Sequence, residues 1–332
     1  MSNDDTGCAP APDRATMEER IIRYAELVPC RTAFIDAHTP GSDRKENFTL
    51  IGGGVSESPD QHVHLRATPG FNIGAAGQPP RCRNSLHSHR TAEVFYVLEG
   101  RWRFFWGRWG DAGELTLEAG DIFSIPTGIF RGFENVGTDY GMLMAILGGD
   151  DAGGGVQWAP QVIEDARAHG LVLGADGKLY DRKRGQSLPD GVEPMPLLTD
   201  EELEHFAEPA IEEVVPRCIG RYQDMMALAA RSPARVIGKG ALIDERPGFE
   251  VELLTRGSVD ESRHRSDRHQ VLLIQRGHWR IEWEDGETRL APGDTCAVPP
   301  GLAHGLAPCM SGEASLYRVS NTDDLAGPTR RG

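Results

Sequence analysis

The sequence lacks two features that would each identify a broad class of protein, a surplus of basic residues and a long apolar run. Basic residues are scarce: 35 Lys and Arg stand against 50 Asp and Glu, which gives a formal net charge of −15. Nucleic-acid binding and docking on anionic lipid both need a basic face, so we expect neither partner. No apolar run approaches the ~20 residues of a membrane-spanning helix. The longest such run lies around residues 142–147.

The sequence also lacks a C-x-x-C pair, and its six cysteines are widely scattered: Cys8, Cys30, Cys82, Cys218, Cys296 and Cys309. Scattered thiols are typical of a reduced protein and argue against a zinc–thiolate site. The N-terminus opens acidic and polar, without the basic segment and apolar core of a secretory signal. These observations predict a cytoplasmic protein.

Glycine and proline are abundant, at 40 and 22 residues, which favours many short elements over a helical bundle. Short apolar runs alternate with Gly, Pro and Asp at intervals typical of a β-sandwich or barrel. The predicted strands cover residues 48–51, 62–66, 94–98, 102–106, 115–117, 122–125, 249–254, 271–275, 279–283, 288–290 and 295–298.

Helical patterns lie outside these runs. We predict a short helix over residues 16–24 and another over 159–169, and Thr199–Glu202 has the spacing of a capping box. The predicted organisation is therefore a tail and short helix at 1–24, a barrel at 25–150, a helical connector at 151–215, a barrel at 216–322 and a tail at 323–332.

The two β-rich halves repeat one another. EVFYVLEGRWRFFWG in the first half corresponds to QVLLIQRGHWRIEWE in the second, with Gly100 aligned on Gly277. A G-x5-P-x-G block follows in each half, at residues 120–128 and 293–301. A match of this length indicates a tandem duplication of one β domain.

One cluster before the shared strand suits metal binding. His87 and His89 are two residues apart, so in an extended strand both side chains face the same side. Glu93 follows at the same parity. Two imidazoles and a carboxylate suit a divalent first-row metal such as Fe(II), Mn(II), Ni(II) or Zn(II). The alternative is two surface histidines and a solvated carboxylate.

These residues resemble the motifs of the cupin superfamily. The segment H-x-H-x3-E-x6-G from His87 to Gly100 matches the first cupin motif, and G-x5-P-x-G from Gly120 to Gly128 opens the second. The resemblance implies an all-β fold of two tandem cupin barrels, antiparallel double-stranded β-helices of the jelly-roll type. Such bicupins include quercetin and gentisate-type dioxygenases and oxalate decarboxylases. The family metal site uses three histidines and one glutamate.

Two positions depart from the family pattern. Arg81 stands where the first motif opens with glycine, and Arg131 stands at the fourth ligand position, where the family has histidine. A guanidinium stays protonated and cannot coordinate a cation. In one outcome, the other three residues hold the metal as a facial triad, and Arg131 binds an anionic substrate group. In the other, Arg131 pairs with Glu93, the metal is lost, and a binding or structural barrel remains.

The second half keeps less of the ligand set. The corresponding positions are His264, Ser266, Gln270 and His304, which lack the carboxylate and one imidazole. We expect this degenerate site to belong to a scaffold or dimerisation barrel, with a second metal site as the alternative.

Three further residues are candidates for contact with a substrate. His62 and His64 alternate along a predicted strand, so they either line the cavity or form a polar outer face. Phe104 shares a strand face with Trp102 and Trp106, which either line an aromatic pocket or pack the barrel.

The resemblance implies a metal-dependent dioxygenase that acts on a small aromatic or polyoxygenated acid. One divalent metal per chain, with Fe(II) expected first, would be held by the first barrel, and Arg131 would be catalytic. The alternatives are a redox-neutral metal-dependent decarboxylase, lyase or isomerase, and a metal-free small-molecule-binding bicupin. The expected partners are a small-molecule substrate, anionic in the favoured interpretation, and a second copy in a homodimer.

Overall fold

The computed structural model describes residues 14–150 and 155–323, so most of the predicted tails, together with Cys8, lie outside the described residues. The chain is mainly β and folds into two jelly-roll barrels in tandem, which confirms the predicted fold class. The five described cysteines are free thiols. Within the described ranges no helix is both long and apolar enough to cross a membrane.

The elements of the first half follow one another with short connections. In chain order they are α1 (Arg14–Glu18), β1 (Ile21–Ile22), β2 (Glu46–Ile51), β3 (Val63–Leu65), β4 (Phe71–Gln78), β5 (Arg83–Ser88), β6 (Glu93–Glu99), β7 (Arg101–Trp106), β8 (Gly113–Glu118), β9 (Ile122–Ile125), β10 (Arg131–Asn135) and β11 (Gly141–Gly148). Single-turn 3₁₀ helices lie at Tyr24–Glu26 and Ile35–His38.

The second half continues with β12 (Gln157–Trp158), α2 (Pro160–Ala168), β13 (Leu171–Leu173), β14 (Leu179–Asp181), α3 (Asp200–Leu203), α4 (Ile211–Cys218), β15 (Ile219–Gly220), α5 (Tyr222–Leu228), β16 (Ala234–Ile237), β17 (Phe249–Thr255), β18 (Gln270–Arg276), β19 (Trp279–Trp283), β20 (Gly286–Leu290), β21 (Thr295–Val298), β22 (His304–Pro308) and β23 (Ser315–Asn321). A 3₁₀ turn at Arg182–Arg184 follows β14.

Each barrel consists of two facing sheets. In the first barrel the strand orders are β15-β9-β6-β11-β4-β2-β3 and β12-β5-β10-β7-β8. In the second they are β1-β21-β18-β23-β17-β16 and β20-β19-β22. The duplicated segments occupy equivalent strands in the two barrels. Strands β6, β9, β10 and β11 of the first barrel correspond to β18, β21, β22 and β23 of the second. Among the described residues the second barrel has no strand equivalent to β5, the strand that carries His87.

The two barrels exchange short edge strands. Strand β1 pairs with β21 of the second barrel, and β15 pairs with β9 of the first. The predicted helix over residues 16–24 is therefore wrong in its second half, because α1 ends at Glu18 and residues 21–22 are extended. Residues 21–22, predicted to lie in the N-terminal tail and helix, belong to the second barrel's sheet. Residues 219–220, predicted to lie in the second barrel, belong to the first barrel's sheet.

Each exchanged strand forms the first two residues of the same four-residue pattern, Ile-x-Arg-Tyr. The backbone N–H of Tyr24 donates to Asp294 at 2.9 Å, and the N–H of Tyr222 donates to Asp121 at 2.8 Å. The rings of these tyrosines lie against Gly293 and Gly120, where any Cβ would clash with them. Contact with the other barrel's tyrosine, together with a positive φ, therefore explains the first glycine of each G-x5-P-x-G block.

The barrels pack on one another through a shared apolar core. Tyr96 and Tyr317 meet in this core with ring centroids 5.0 Å apart, and the Tyr317 hydroxyl donates to the Gly120 carbonyl. The Gln275 side chain donates to the carbonyl of Leu98 at 3.3 Å. Because the core and the strand exchange both cross between the halves, we expect the barrels to unfold together.

The connector contains the predicted helix, which forms as α2, and the predicted capping box at Thr199 and Glu202. Its other elements were not predicted. Strand β12 leaves the connector and pairs with β5, and α4 packs beside β8 and β9. The first barrel is thus completed by residues that the sequence patterns had assigned to a linker.

Candidate metal centre

The first barrel brings His87, His89 and Glu93 together. His87 lies on β5, His89 follows directly after it, and Glu93 begins β6. All three side chains are buried, and their potential ligand atoms lie within 4.8 Å of one another. In the described part of the chain no other group of three such side chains is this close. The arrangement contains the two imidazoles and the carboxylate predicted from the sequence.

Hydrogen bonds to the backbone orient both imidazoles. His87 Nδ1 lies 2.8 Å from the Ser85 carbonyl oxygen, and His89 Nδ1 lies 2.9 Å from the Gly155 carbonyl oxygen. Each Nδ1–H donates to its carbonyl, so each Nε2 keeps a free lone pair. Ligating histidines are usually held in this way.

Burial keeps the two imidazoles neutral. It is the main cause of a His89 pKa lowered to about 4 and of a His87 pKa well below its ordinary value, and the Arg131 guanidinium lowers both further. A histidine must be neutral to bind a metal. The two free lone pairs and the nearby carboxylate therefore fit a divalent cation, and the three residues could hold one.

Arg131 occupies the fourth ligand position and pairs with Glu93. The backbone register sets it opposite His87, and its Nε donates to Glu93 Oε2 at 3.1 Å, with Nη2 donating to the same oxygen. Nη1 donates to the His87 carbonyl at 3.1 Å. Glu93 Oε1 stays clear of the guanidinium and lies 3.6 Å from His89 Nε2. One carboxylate oxygen can thus accept from Arg131 while the other faces the imidazoles.

A cavity of about 70 Å³ opens beside the cluster, with His87, His89 and Glu93 in its wall. Since a water molecule needs about 10–15 Å³ of such space, the cavity holds only a small ligand. Its other walls are mostly apolar, formed by Phe34, Phe48, Ile73, Ala75, Ala76, Phe95, Phe133, Ala145, Leu147, Val156 and Trp158.

Arg131 is absent from the cavity wall, so its predicted contact with an anionic substrate is not present in this geometry. The guanidinium is turned toward Glu93 and the His87 carbonyl instead. The structure therefore contains the Arg131–Glu93 pair of the second predicted outcome. It also retains the three candidate ligands of the first.

The other three predicted substrate contacts do not line the cavity. His64 is held at the edge of β2, where its ring contacts the Thr49 carbonyl at 2.7 Å and accepts from the Val28 N–H at 3.0 Å. His62 packs edge-on against His64. Phe104 is fully buried in the barrel core, with ring centroids 5.3 Å from both Phe95 and Phe123. The alternative interpretations, a polar outer face and barrel packing, are the ones observed.

Sequence reasoning missed several residues that shape the site. Trp158, on β12, packs its ring 5.5 Å from that of His87, and its Nε1 donates to Glu57 at 2.6 Å. Gly155 supplies the carbonyl that orients His89. Asn47, on β2, lines the cavity. A motif search detects none of them because they lie outside both motifs and reach the site only through tertiary contacts. The one signal in the sequence is that Trp158 is an aromatic residue within the connector.

Glu57 is expected to make stability fall as the pH rises. Burial raises its pKa from 4.5 to about 8, so its contribution is complete below pH 4.5 and is lost toward pH 8. Between pH 6.5 and 8 this loss should be on the order of 2 kcal/mol. The buried His87 and His89 have lowered pKa values, so they reduce the free energy of unfolding only below pH 6.5, outside this range. Urea unfolding across pH 6.5–9 should show the decline in wild type and a flatter curve in Glu57→Gln; parallel curves would contradict this assignment.

The degenerate site of the second barrel is only partly assembled. His264 and His304 face each other across an isolated antiparallel β-bridge, and their ring centroids lie 4.5 Å apart. Gln270 begins β18 and donates to Ser320 at 3.3 Å, while the Ser266 hydroxyl accepts from the Arg268 N–H. Because residues around His264 form a single bridge rather than a strand, the second barrel does not reproduce the geometry of the first.

The two halves match different family descriptions. Residues 77–147 match the Cupin domain, and residues 251–319 match the AraC-like ligand binding domain. No curated protein matches the sequence.

Solved structures with the same fold cover nearly the whole chain. Oxalate decarboxylase from Lactobacillus farciminis has 12% identity and a TM-score of 0.55, covering 94% of this chain and 89% of its own. Salicylate 1,2-dioxygenase from Pseudaminobacter salicylatoxidans has 14% identity and a TM-score of 0.53, covering 97% of this chain and 88% of its own. Identities this low establish the fold alone. The chain therefore has the fold of these structures, and its similarity to the Cupin domain family covers residues 77–147.

Proposed function

We propose that the protein is a metal-dependent, dioxygenase-like bicupin that acts on a small aromatic or polyoxygenated compound in its first barrel. The observation that carries this proposal is the buried His87–His89–Glu93 cluster, whose free Nε2 atoms and carboxylate oxygen border an apolar cavity. The second barrel would act as scaffold.

The proposed cofactor is one divalent first-row metal per chain, held by His87, His89 and Glu93. Fe(II) is the first candidate and Mn(II), Ni(II) or Zn(II) the alternatives, since two imidazoles and one carboxylate accept all of these ions. When bound, the ion would supply open coordination positions for substrate oxygen and O2.

The chain's own residues would bind and orient the reactants. The carbonyls of Ser85 and Gly155 fix the rings of His87 and His89. Arg131 is a positioning residue: it holds Glu93 Oε2 and leaves Oε1 directed toward the imidazoles. A planar substrate seated between the aromatic walls would displace water from the cavity, which would strengthen electrostatic interactions at the cluster.

A redox-neutral reaction, such as decarboxylation, uses the same residues and is the alternative enzyme class. The fold fits the oxalate decarboxylase of Lactobacillus farciminis as well as it fits the salicylate dioxygenase. A metal-free binding protein is the third candidate, and the Arg131–Glu93 ion pair favours it because Arg131 already compensates the carboxylate charge.

Elemental analysis and oxygen uptake distinguish these candidates. Protein loaded with Fe(II) under anaerobic conditions should contain one metal per chain and consume O2 with gentisate-, catechol- or flavonol-type substrates. Metal binding without O2 uptake would favour the redox-neutral class. Metal content well below one per chain after loading would overturn both enzyme candidates.

A further inference from the structure

The cavity owes its space to small side chains on the inner face of one sheet. Gly74 and Ala76 lie on β4, and the register pairs Gly74 with Ala145 of β11. On β6, the next strand, the same face carries Glu93 and Phe95. Larger residues at these three positions would fill the barrel, so the space is a property of this sequence and not of the barrel alone.

Aromatic rings enclose this space from the other sides. The Phe95 and Phe133 rings meet at 5.3 Å, and the Phe34 and Trp158 rings meet edge to face at 6.0 Å. Flat, rigid walls with few polar atoms favour a planar, apolar ligand.

The charged groups nearest the cavity are already compensated. Lys45 is buried behind the wall, where its Nζ binds Asp36 and donates to Asn84 Oδ1 at 2.7 Å. Arg131 is bound to Glu93. In the described part of the chain neither cation lines the cavity, so a negatively charged group in its interior would have no cationic partner there.

Most polar side chains in the wall are also paired. The amide of Asn72 donates to the Gly149 carbonyl at 2.6 Å and accepts from the Gly54 N–H at 3.2 Å. The Thr49 hydroxyl donates to Gln61 at 3.0 Å. These contacts hold the loops around the cavity and use the Thr49 hydroxyl proton and one of the two N–H groups of Asn72.

Asn47 carries a donor that is not used in this way. It lies on β2 and pairs with Ala76 of β4, and it is 9% exposed. Its Nδ2 is buried and has no hydrogen-bond partner among the described residues. A buried amide left unpaired costs about 1–3 kcal/mol, which a ligand oxygen accepting from Nδ2 would recover.

We propose that Asn47 determines the substrate class of this cavity. The ligand is a small, planar, largely apolar molecule. An uncharged oxygen of this ligand, and not a carboxylate, accepts a hydrogen bond from Asn47 Nδ2. For a substrate, this inference rests on the proposed function, because the cluster of His87, His89 and Glu93 would hold the reacting end. The Asn47 contact itself does not require the metal.

Isothermal titration of metal-free protein tests this proposal with three probes: acetophenone, ethylbenzene and benzoate. One net hydrogen bond contributes about 0.5–1.5 kcal/mol, so acetophenone should bind roughly 2- to 12-fold more tightly than ethylbenzene. Benzoate should bind more weakly than acetophenone. Asn47→Leu, which removes the donor, should bind acetophenone and ethylbenzene equally.

Two controls complete the test. Thr49→Val removes a cavity hydroxyl that is already paired and should keep the wild-type preference for acetophenone. Ala145→Leu should fill the space and abolish binding of all three probes, with folding checked by thermal melting. The proposal is overturned if benzoate binds most tightly, if wild type does not distinguish acetophenone from ethylbenzene, or if Asn47→Leu keeps the preference. Because these titrations omit the metal, failure of metal loading would refute the proposed function and leave their outcome unaffected.

Discussion

The variant His87→Ala is expected to lose divalent metal binding, with the dissociation constant for Mn²⁺ raised at least about 100-fold, while His264→Ala binds as wild type does. His87 supplies one of three ligand side chains and is buried with its Nδ1 fixed by the Ser85 carbonyl. Removing one ligand of three leaves two, which is too few to hold the ion against water.

His264 is the matched control because it occupies a corresponding position in the second barrel. Its neighbours there are His304, Ser266 and Gln270, which supply no carboxylate. Anaerobic titration monitored by electron paramagnetic resonance of Mn²⁺ measures both variants directly. Equal losses in His87→Ala and His264→Ala, or a loss in the second alone, would refute the assignment of the metal to the first barrel.

The substitution Arg131→Met is expected to lower the stability of the metal-free protein by about 3–5 kcal/mol, because it leaves the Glu93 carboxylate buried without its cation. Arg131 is 2% exposed and donates to Glu93 through two nitrogens. A divalent ion at the cluster would compensate the carboxylate instead. We therefore expect Mn²⁺ to raise the melting temperature of Arg131→Met more than that of wild type.

Two further variants sharpen the test of Arg131. Arg103→Met breaks a half-exposed pair with Glu134 and should cost below about 1 kcal/mol. Arg131→His replaces the guanidinium with an imidazole at the fourth ligand position and should increase metal affinity at least about tenfold. Unfolding by urea with and without Mn²⁺ provides the measurements. A loss in Arg131→Met no larger than in Arg103→Met would contradict the role given to the buried pair.

The barrels and the cluster could be predicted because their signals are local. Alternating apolar residues define β7 and β19, and the paired glycines define the turns, so the duplication is visible without a structure. The parity of His87 and His89 likewise fixes their common face on one strand. The substitution of Arg131 for a histidine is visible from the second motif alone.

The remaining features depend on contacts between distant segments. The Ile-x-Arg-Tyr pattern of the exchanged strands is readable at residues 21–24 and 219–222, but its meaning requires knowing that each tyrosine packs on the other barrel. Phe104 and Trp158 are both aromatic, yet one fills the core and the other lines the cavity. Side-chain periodicity identifies an inner face and does not say how deep in the barrel each residue lies.

Anomalous diffraction from crystals grown with Mn²⁺ would test the central claim most directly. The account predicts one peak per chain, within coordination distance of His87 Nε2, His89 Nε2 and a Glu93 carboxylate oxygen, with Arg131 retained against the other oxygen. A peak between His264 and His304, or no peak in the first barrel at saturating Mn²⁺, would contradict it.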